Sequence, residues 1–400
     1  MHRSQSGEWL TVFAAFILLN LVYATTQPAV TFNGGRGDDA TKYFAMAAQA
    51  RSGEAMAASQ PFVRRPGTPF LIATVSAVSG WELEATFKRI NIGANLLTVV
   101  LLTLLVQRHV ADVFARIFVS LFFMVEPHSP VRLVYAYPVY VDPIALTALA
   151  AGLLAIDRFE RHPSRANAGL LTLIVGIGAA FRETTIVIGL ALLANRVNER
   201  RTAAWLPVLA GIAALAAVDR LVITTASGYS MPAEAWRFVR DKSLLNYTLA
   251  WFVVFGPMLA APLFYWRRSF GVLAENRALL IYLTAFAILA WIGGTDTERL
   301  LVFASPVVYV LVAKAIGWSR MTPFSFATAG LALMQAASAR AFTSIRGPGE
   351  LLTPFQKVAA YQNLWTEFSP PRLLMFYWLG YGLMTAVVVA WLTTRRRLAR

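Results

Sequence analysis

No cysteine occurs in this chain of 400 residues, which removes disulfides, thiolate nucleophiles and thiolate metal sites from consideration. Charge is scarce as well. Only 14% of the residues are Asp, Glu, Lys or Arg, against 57% hydrophobic, and histidine occurs four times. That is too little charge for the surface of an ordinary soluble domain. The 21 acidic residues are outnumbered by 36 Lys and Arg, for a net charge of +15. A basic patch would suit nucleic acid, but these residues fall in short turns between apolar runs. A membrane-topology bias accounts for that distribution, and no nucleic-acid partner is expected.

What the chain has instead is a succession of apolar segments near the ~20 residues that cross a ~30 Å hydrocarbon core as helix. The runs are continuous rather than alternating, which predicts helices and not a barrel. The fold class expected is all-α, a polytopic transmembrane bundle forming a single domain over residues 1–400. Met1 to Ala24 has the basic start and apolar middle of a signal peptide, but its run is long for one and further spans follow. It therefore reads as the first span, roughly Trp9–Thr26. Later spans are expected at Ile90–Val106, Val113–Val125, Pro143–Ile156, Ala168–Phe181, Thr184–Ala194 and Ala203–Thr224. Thr248–Trp266, Ala278–Gly293, Leu300–Ile316, Pro323–Ala341 and Leu373–Thr393 complete the set, about twelve crossings at bilayer length.

The first external loop covers residues 27–89, and within it Phe70–Ser79 is too short to cross, so it is expected to lie at the interface. A last external segment, 342–372, carries aromatics among polar residues and suits a cover lying on the membrane. With these spans the basic turns and both termini share one side, which the positive-inside rule makes the cytoplasm. The expectation is an integral protein of a bacterial inner or plasma membrane, in contact with membrane lipids.

The opposite, extracytoplasmic face collects Asp38, Asp39, Arg64, Arg65, Glu126, His128, Asp142, Arg182, Glu183, Asp296, Glu298 and Arg299. Charges at span ends are costly unless paired or solvated, and so are functional candidates. In Gly34-Gly35-Arg36-Gly37-Asp38-Asp39 the glycines permit a sharp turn. Asp38 can cap a helix over Asp39–Ala50, which puts Asp39, Tyr43 and Ala47 on one face. A carboxylate there, Asp39 or Asp38, suits the general base that takes a proton from an acceptor hydroxyl. Asp142, before Pro143, suits either a helix cap or a second catalytic acid. Arg182, Arg299, Arg65 and Arg64 have the planar fork that holds phosphate, although Arg64-Arg65 also suits anionic headgroups. Tyr43, Glu183, Tyr140 and Asp296 are candidate substrate contacts. Glu126-x-His128, with an Asp nearby, offers ligands that several divalent cations accept.

These residues resemble a known group. A first span followed by an external loop with Asp38-Asp39-x-x-x-Tyr43 and then Arg65-Pro66-x-x-Pro69-Phe70-Leu71 is similar to the GT-C superfamily of integral-membrane glycosyltransferases. Asp142 at the start of a span and Arg182-Glu183 inside a short hairpin add to the likeness. That superfamily includes protein O-mannosyltransferases and lipid A aminoarabinose transferases. The resemblance implies a polyprenyl-phosphate-sugar donor and a glycan, lipid or protein acceptor. It also implies inverting transfer on the extracytoplasmic face of the cell envelope, and often a divalent cation such as Mg or Mn. Its first-loop acid maps to Asp38 or Asp39 and its second-loop acid to Asp142. Two other classes compete: a transporter or flippase of a lipid-linked intermediate, and a non-catalytic membrane scaffold. A transporter of that kind favours related halves and polar groups at mid-membrane, whereas here the charges gather at one rim.

Overall fold

The computed structural model describes residues 2–30, 39–194, 201–225, 228–294, 296–322, 325–340, 366 and 371–398. Asp38, the glycine turn before it and most of 342–372 lie outside the described residues. Among the described residues the fold is all-α apart from one two-residue parallel ladder. In chain order the first helices are α1 (His2–Thr26), α2 (Ala40–Ser52), α3 (Gly67–Ser79), α4 (Leu83–His109), α5 (Val113–Val125) and α6 (Pro130–Ala136). Next come α7 (Asp142–Arg161), α8 (Arg165–Phe181), α9 (Ile186–Leu193), α10 (Arg201–Leu221), α11 (Met231–Asp241) and α12 (Leu244–Phe255). The last are α13 (Ala260–Phe264), α14 (Trp266–Glu275), α15 (Arg277–Ile292), α16 (Thr297–Leu301), α17 (Ser305–Trp318), α18 (Phe326–Ser338) and α19 (Pro371–Leu398).

Among the described residues six helical segments are long and apolar enough to cross a membrane, or eight if each of two bent pairs counts as one crossing. This is a membrane fold, but length and apolarity do not supply the expected number of crossings. Two physical reasons account for the shortfall. Charges at the ends of α7, among them Asp142, Asp157 and Arg158, interrupt its apolar window, while α8 and the Glu183–Leu193 helix are short. The continuous run Thr248–Trp266 also does not form one helix. It bends by 107° where Gly256 and Pro257 follow α12. Gly256 has φ +69°, open mainly to glycine, and Pro257 has no N–H to continue the ladder. Gln335 repairs the break by donating to the Phe255 carbonyl at 2.8 Å and accepting from the Met258 N–H at 3.3 Å.

α17 is buried along most of its length and forms the centre of the bundle, with α4 and α5 packed on it. α1 lies outside, its Leu10, Ile17, Leu18 and Leu21 exposed. It is pinned at one end by Glu8, which accepts from the buried Arg116 of α5 at 2.8 and 2.5 Å. At the other end the connecting segments meet. The ladder pairs Ala57 with Ile223 and Ala58 with Thr224, tying the segment between α2 and α3 to the chain after α10. Asn91 of α4 donates to the carbonyls of Pro138 and Tyr140 at 3.2 and 2.7 Å, and Asn95, one turn on, to that of Pro130 at 2.8 Å. These bonds hold the stretch that delivers Asp142.

Candidate active site

Asp39 sits at the cap position of α2, but its carboxylate makes no bond to the helix. It accepts instead from Arg299 Nη1 at 2.8 Å. Arg299 comes from α16, and its Nε donates to Asp142 Oδ2 at 2.5 Å. Asp142 opens α7 and likewise makes no capping bond. Its other oxygen, Oδ1, accepts from Arg182 Nη1. Four residues from four separated parts of the chain therefore share one network. Asp296 stands 3.6 Å from Arg299, and the Tyr140 ring lies under that guanidinium at 5.1 Å.

The surroundings of the members differ. The Asp142 and Arg182 side chains are 5% and 3% exposed, that of Arg299 12%, and that of Asp39 40%. Arg182 stacks on Phe303 at 4.5 Å, and its Nε is buried with no hydrogen-bond partner among the described residues. An N–H left in that state signals a missing acceptor.

A second group adjoins the first. Arg65 donates to both oxygens of Glu183, at 3.0 and 2.6 Å, and to the Tyr43 hydroxyl at 3.1 Å. Burial alone would lower the Arg65 guanidinium, but Glu183 and Tyr43 outweigh it and push it above its ordinary range. Close backbone approach makes this contact possible. A Cβ at Gly67 would stand 2.8 Å from the Ala180 carbonyl oxygen, so α3 starts hard against the end of α8. Tyr43 is buried, as its position on the Asp39 face of α2 requires, and packs edge-on against Phe62 at 5.6 Å. Arg64 is drawn elsewhere, 3.7 Å from Asp219 and 3.5 Å from Met231 Sδ.

Of the candidates from the sequence, Asp39, Asp142, Arg182, Arg299 and Asp296 form the first group, and Arg65, Glu183 and Tyr43 the second. Arg64 stands with Asp219, whose side chain is half-exposed. Glu126 and His128 lie in the short turn between α5 and α6. Both are fully buried, in a helical stretch Val113–Ala136 that reads as one crossing, and Glu126 accepts from Tyr309 and Ser305 of α17. Among the described residues no group of three or more His, Asp or Glu is arranged to hold a metal ion. The two loop acids, Asp39 and Asp142, both turn onto Arg299.

Several contributors were missed. Asn91 and Asn95 position the Asp142 loop, and their signal was an amide pair at i, i+4 in an otherwise apolar run. Phe303 under Arg182 carried no signal, being one apolar residue among many. Glu298, one of the charges collected from the sequence, is buried and accepts from Thr366 N–H and Oγ1 at 2.7 and 2.6 Å, which sets Thr366 beside the site.

No protein-family model and no curated protein matches the chain. Among solved structures it superposes on the apo crystal structure of the Archaeoglobus fulgidus oligosaccharyltransferase with a TM-score of 0.52. The chain shares the fold of that structure over the matched part. The match covers 95% of this chain at 14% identity, so the likeness is one of fold. It covers 56% of the oligosaccharyltransferase, and the chain thus spans little more than half the length of that relative. On this fold, the acid–arginine cluster occupies the loops at one end of the helical bundle.

Proposed function

We propose that the chain is a membrane glycosyltransferase that moves a sugar from a polyprenyl-phosphate donor to an acceptor hydroxyl with inversion, on the extracytoplasmic face. The observation that carries this reading is Arg299 spanning Asp39 and Asp142, with Arg182 on the far oxygen of Asp142. Supporting it are the fold shared with the oligosaccharyltransferase and the basic turns, which favour the cytoplasm for the opposite face.

The two carboxylates take different roles. Asp142 is buried and engaged by a guanidinium on each oxygen, so it holds the arginines in place. Asp39 is the accessible carboxylate and serves as base. It takes the proton of the acceptor hydroxyl as that oxygen bonds to the anomeric carbon, while the bond from this carbon to the phosphate oxygen breaks. The electron pair leaves on the phosphate, whose charge is held by Arg299 and by the free Nε–H of Arg182. Three arginines face four carboxylates in the resting cluster, so an incoming phosphate competes for guanidinium groups. Its arrival draws Arg299 from Asp39 and releases the base. The proton then passes from Asp39 to water. Every step uses residues of this chain.

The test is to incubate the purified protein in liposomes with a panel of labelled polyprenyl-phosphate sugars and an acceptor extract. Free polyprenyl phosphate appearing together with a glycosylated product supports the proposal. Passage of intact donor across the bilayer, or no reaction with any donor, would reject it.

A further inference from the structure

α8 and α10 pack side by side, and between them runs an apolar groove of about 1060 Å³. Small residues shape it: Gly169 on α8 faces open space, and at Gly176 the two helices close on each other, a Cβ there standing 3.5 Å from that of Ala210. Its rim, including Leu173 and Leu206, is exposed, as befits a lipid-facing flank. The Thr172 hydroxyl in its wall is spent on the Ala168 carbonyl of its own helix, at 2.8 Å. Polarity is confined to one end. There Arg165, the first residue of α8, lines the mouth with no ion pair to any described residue.

The dimensions match one leaflet. From Arg165 to Ile177 the wall rises about 18 Å at 1.5 Å per residue, close to half of a ~30 Å hydrocarbon core. The occupant that fits is an amphiphile with an anionic head and a chain one leaflet long. The donor of the proposed reaction is a poor match. Arg182, which belongs to the cluster, follows the opposite end of α8, a full helix length from Arg165.

We infer that this groove binds an anionic phospholipid of the leaflet opposite the acid–arginine cluster, with its headgroup at Arg165 and an acyl chain along Gly169 between Leu173 and Leu206. This does not depend on the proposed glycosyl transfer.

Native mass spectrometry of the purified chain, titrated with phosphatidylglycerol and with phosphatidylcholine, tests it. The wild type is expected to favour phosphatidylglycerol by roughly fivefold, the scale of one arginine at an anionic surface. Arg165→Gln is expected to bring the two lipids to parity. Gly169→Leu fills the groove, and since a Cβ at Gly169 meets nothing within 4 Å, the helix accepts it. That variant is expected to lose retained lipid of both kinds while keeping its helical circular dichroism. Parity in the wild type, an undiminished preference in Arg165→Gln, or undiminished lipid in Gly169→Leu would overturn the inference. So would a lipid-free dimer that Gly169→Leu abolishes, which would assign the groove to a second copy of the chain.

Discussion

Asp39 and Asp142 bring the same functional group into opposite surroundings, and their variants should fail differently. Asp142→Asn leaves Arg182 and Arg299 buried without their shared anion. Breaking a buried pair by removing one partner costs about 3–5 kcal/mol. The variant is expected to show a clearly lower melting temperature in detergent, partly restored when Arg182→Gln is added. Asp39→Asn removes a pair whose acid is 40% exposed, worth about 1 kcal/mol or less, so the protein should stay folded. Because guanidinium groups meet the leaving-group charge in this account, transfer is expected to persist in excess EDTA; turnover lost on chelation and restored by Mg or Mn would transfer that role to a metal. These residues were legible in the sequence because a charge at the edge of an apolar run stands out. Their pairing was not. Asp39 and Arg299 are 260 positions apart, and spacing says nothing about contacts at that range. Burial of Glu126 and His128 was hidden for a related reason, since a short polar interruption reads as a loop when the partners that satisfy it, Tyr309 and Ser305, lie far along the chain.

Among the elements, helices without special ends were readable from composition, and the departures occur where tertiary partners redirect a local preference. Asp142 precedes Pro143 as a capping residue would, yet its carboxylate goes to two arginines. Asp39 is taken from the end of α2 in the same way. The break after α12 was missed because Gly256-Pro257 lies within an apolar run and its repair comes from Gln335 on a distant helix. That arrangement makes Gly256 sensitive. A Cβ there would fall 2.2–2.5 Å from the Gln335 side chain, at a φ few residues adopt. Gly256→Ala is expected to destabilise the protein by roughly 1–3 kcal/mol through backbone strain, with further loss as Gln335 is displaced. Thermal unfolding in detergent reads the change. A wild-type melting temperature would show that the bend is not maintained by this residue.

For the whole molecule, fold class and the gathering of charge at one end were readable, whereas helix length and apolarity among the described residues yield six to eight crossings rather than about twelve, because broken and short helices evade any rule based on run length. Sidedness can be measured without background, since the chain has no cysteine of its own. Ser52→Cys, exposed at the end of α2, should react with an impermeant maleimide added to intact cells, and His162→Cys, in the turn between α7 and α8, only after lysis. The reverse pattern would move the cluster to the cytoplasm. In the proposed reaction the cluster transfers sugar, with Asp39 as its base. This is tested most directly by comparing wild type and Asp39→Asn in one transfer assay with labelled polyprenyl-phosphate sugar. Loss of a general base predicts a fall in kcat of about 10²–10⁴-fold, with protein yield and donor KM little changed. Turnover by Asp39→Asn at the wild-type rate would contradict the account.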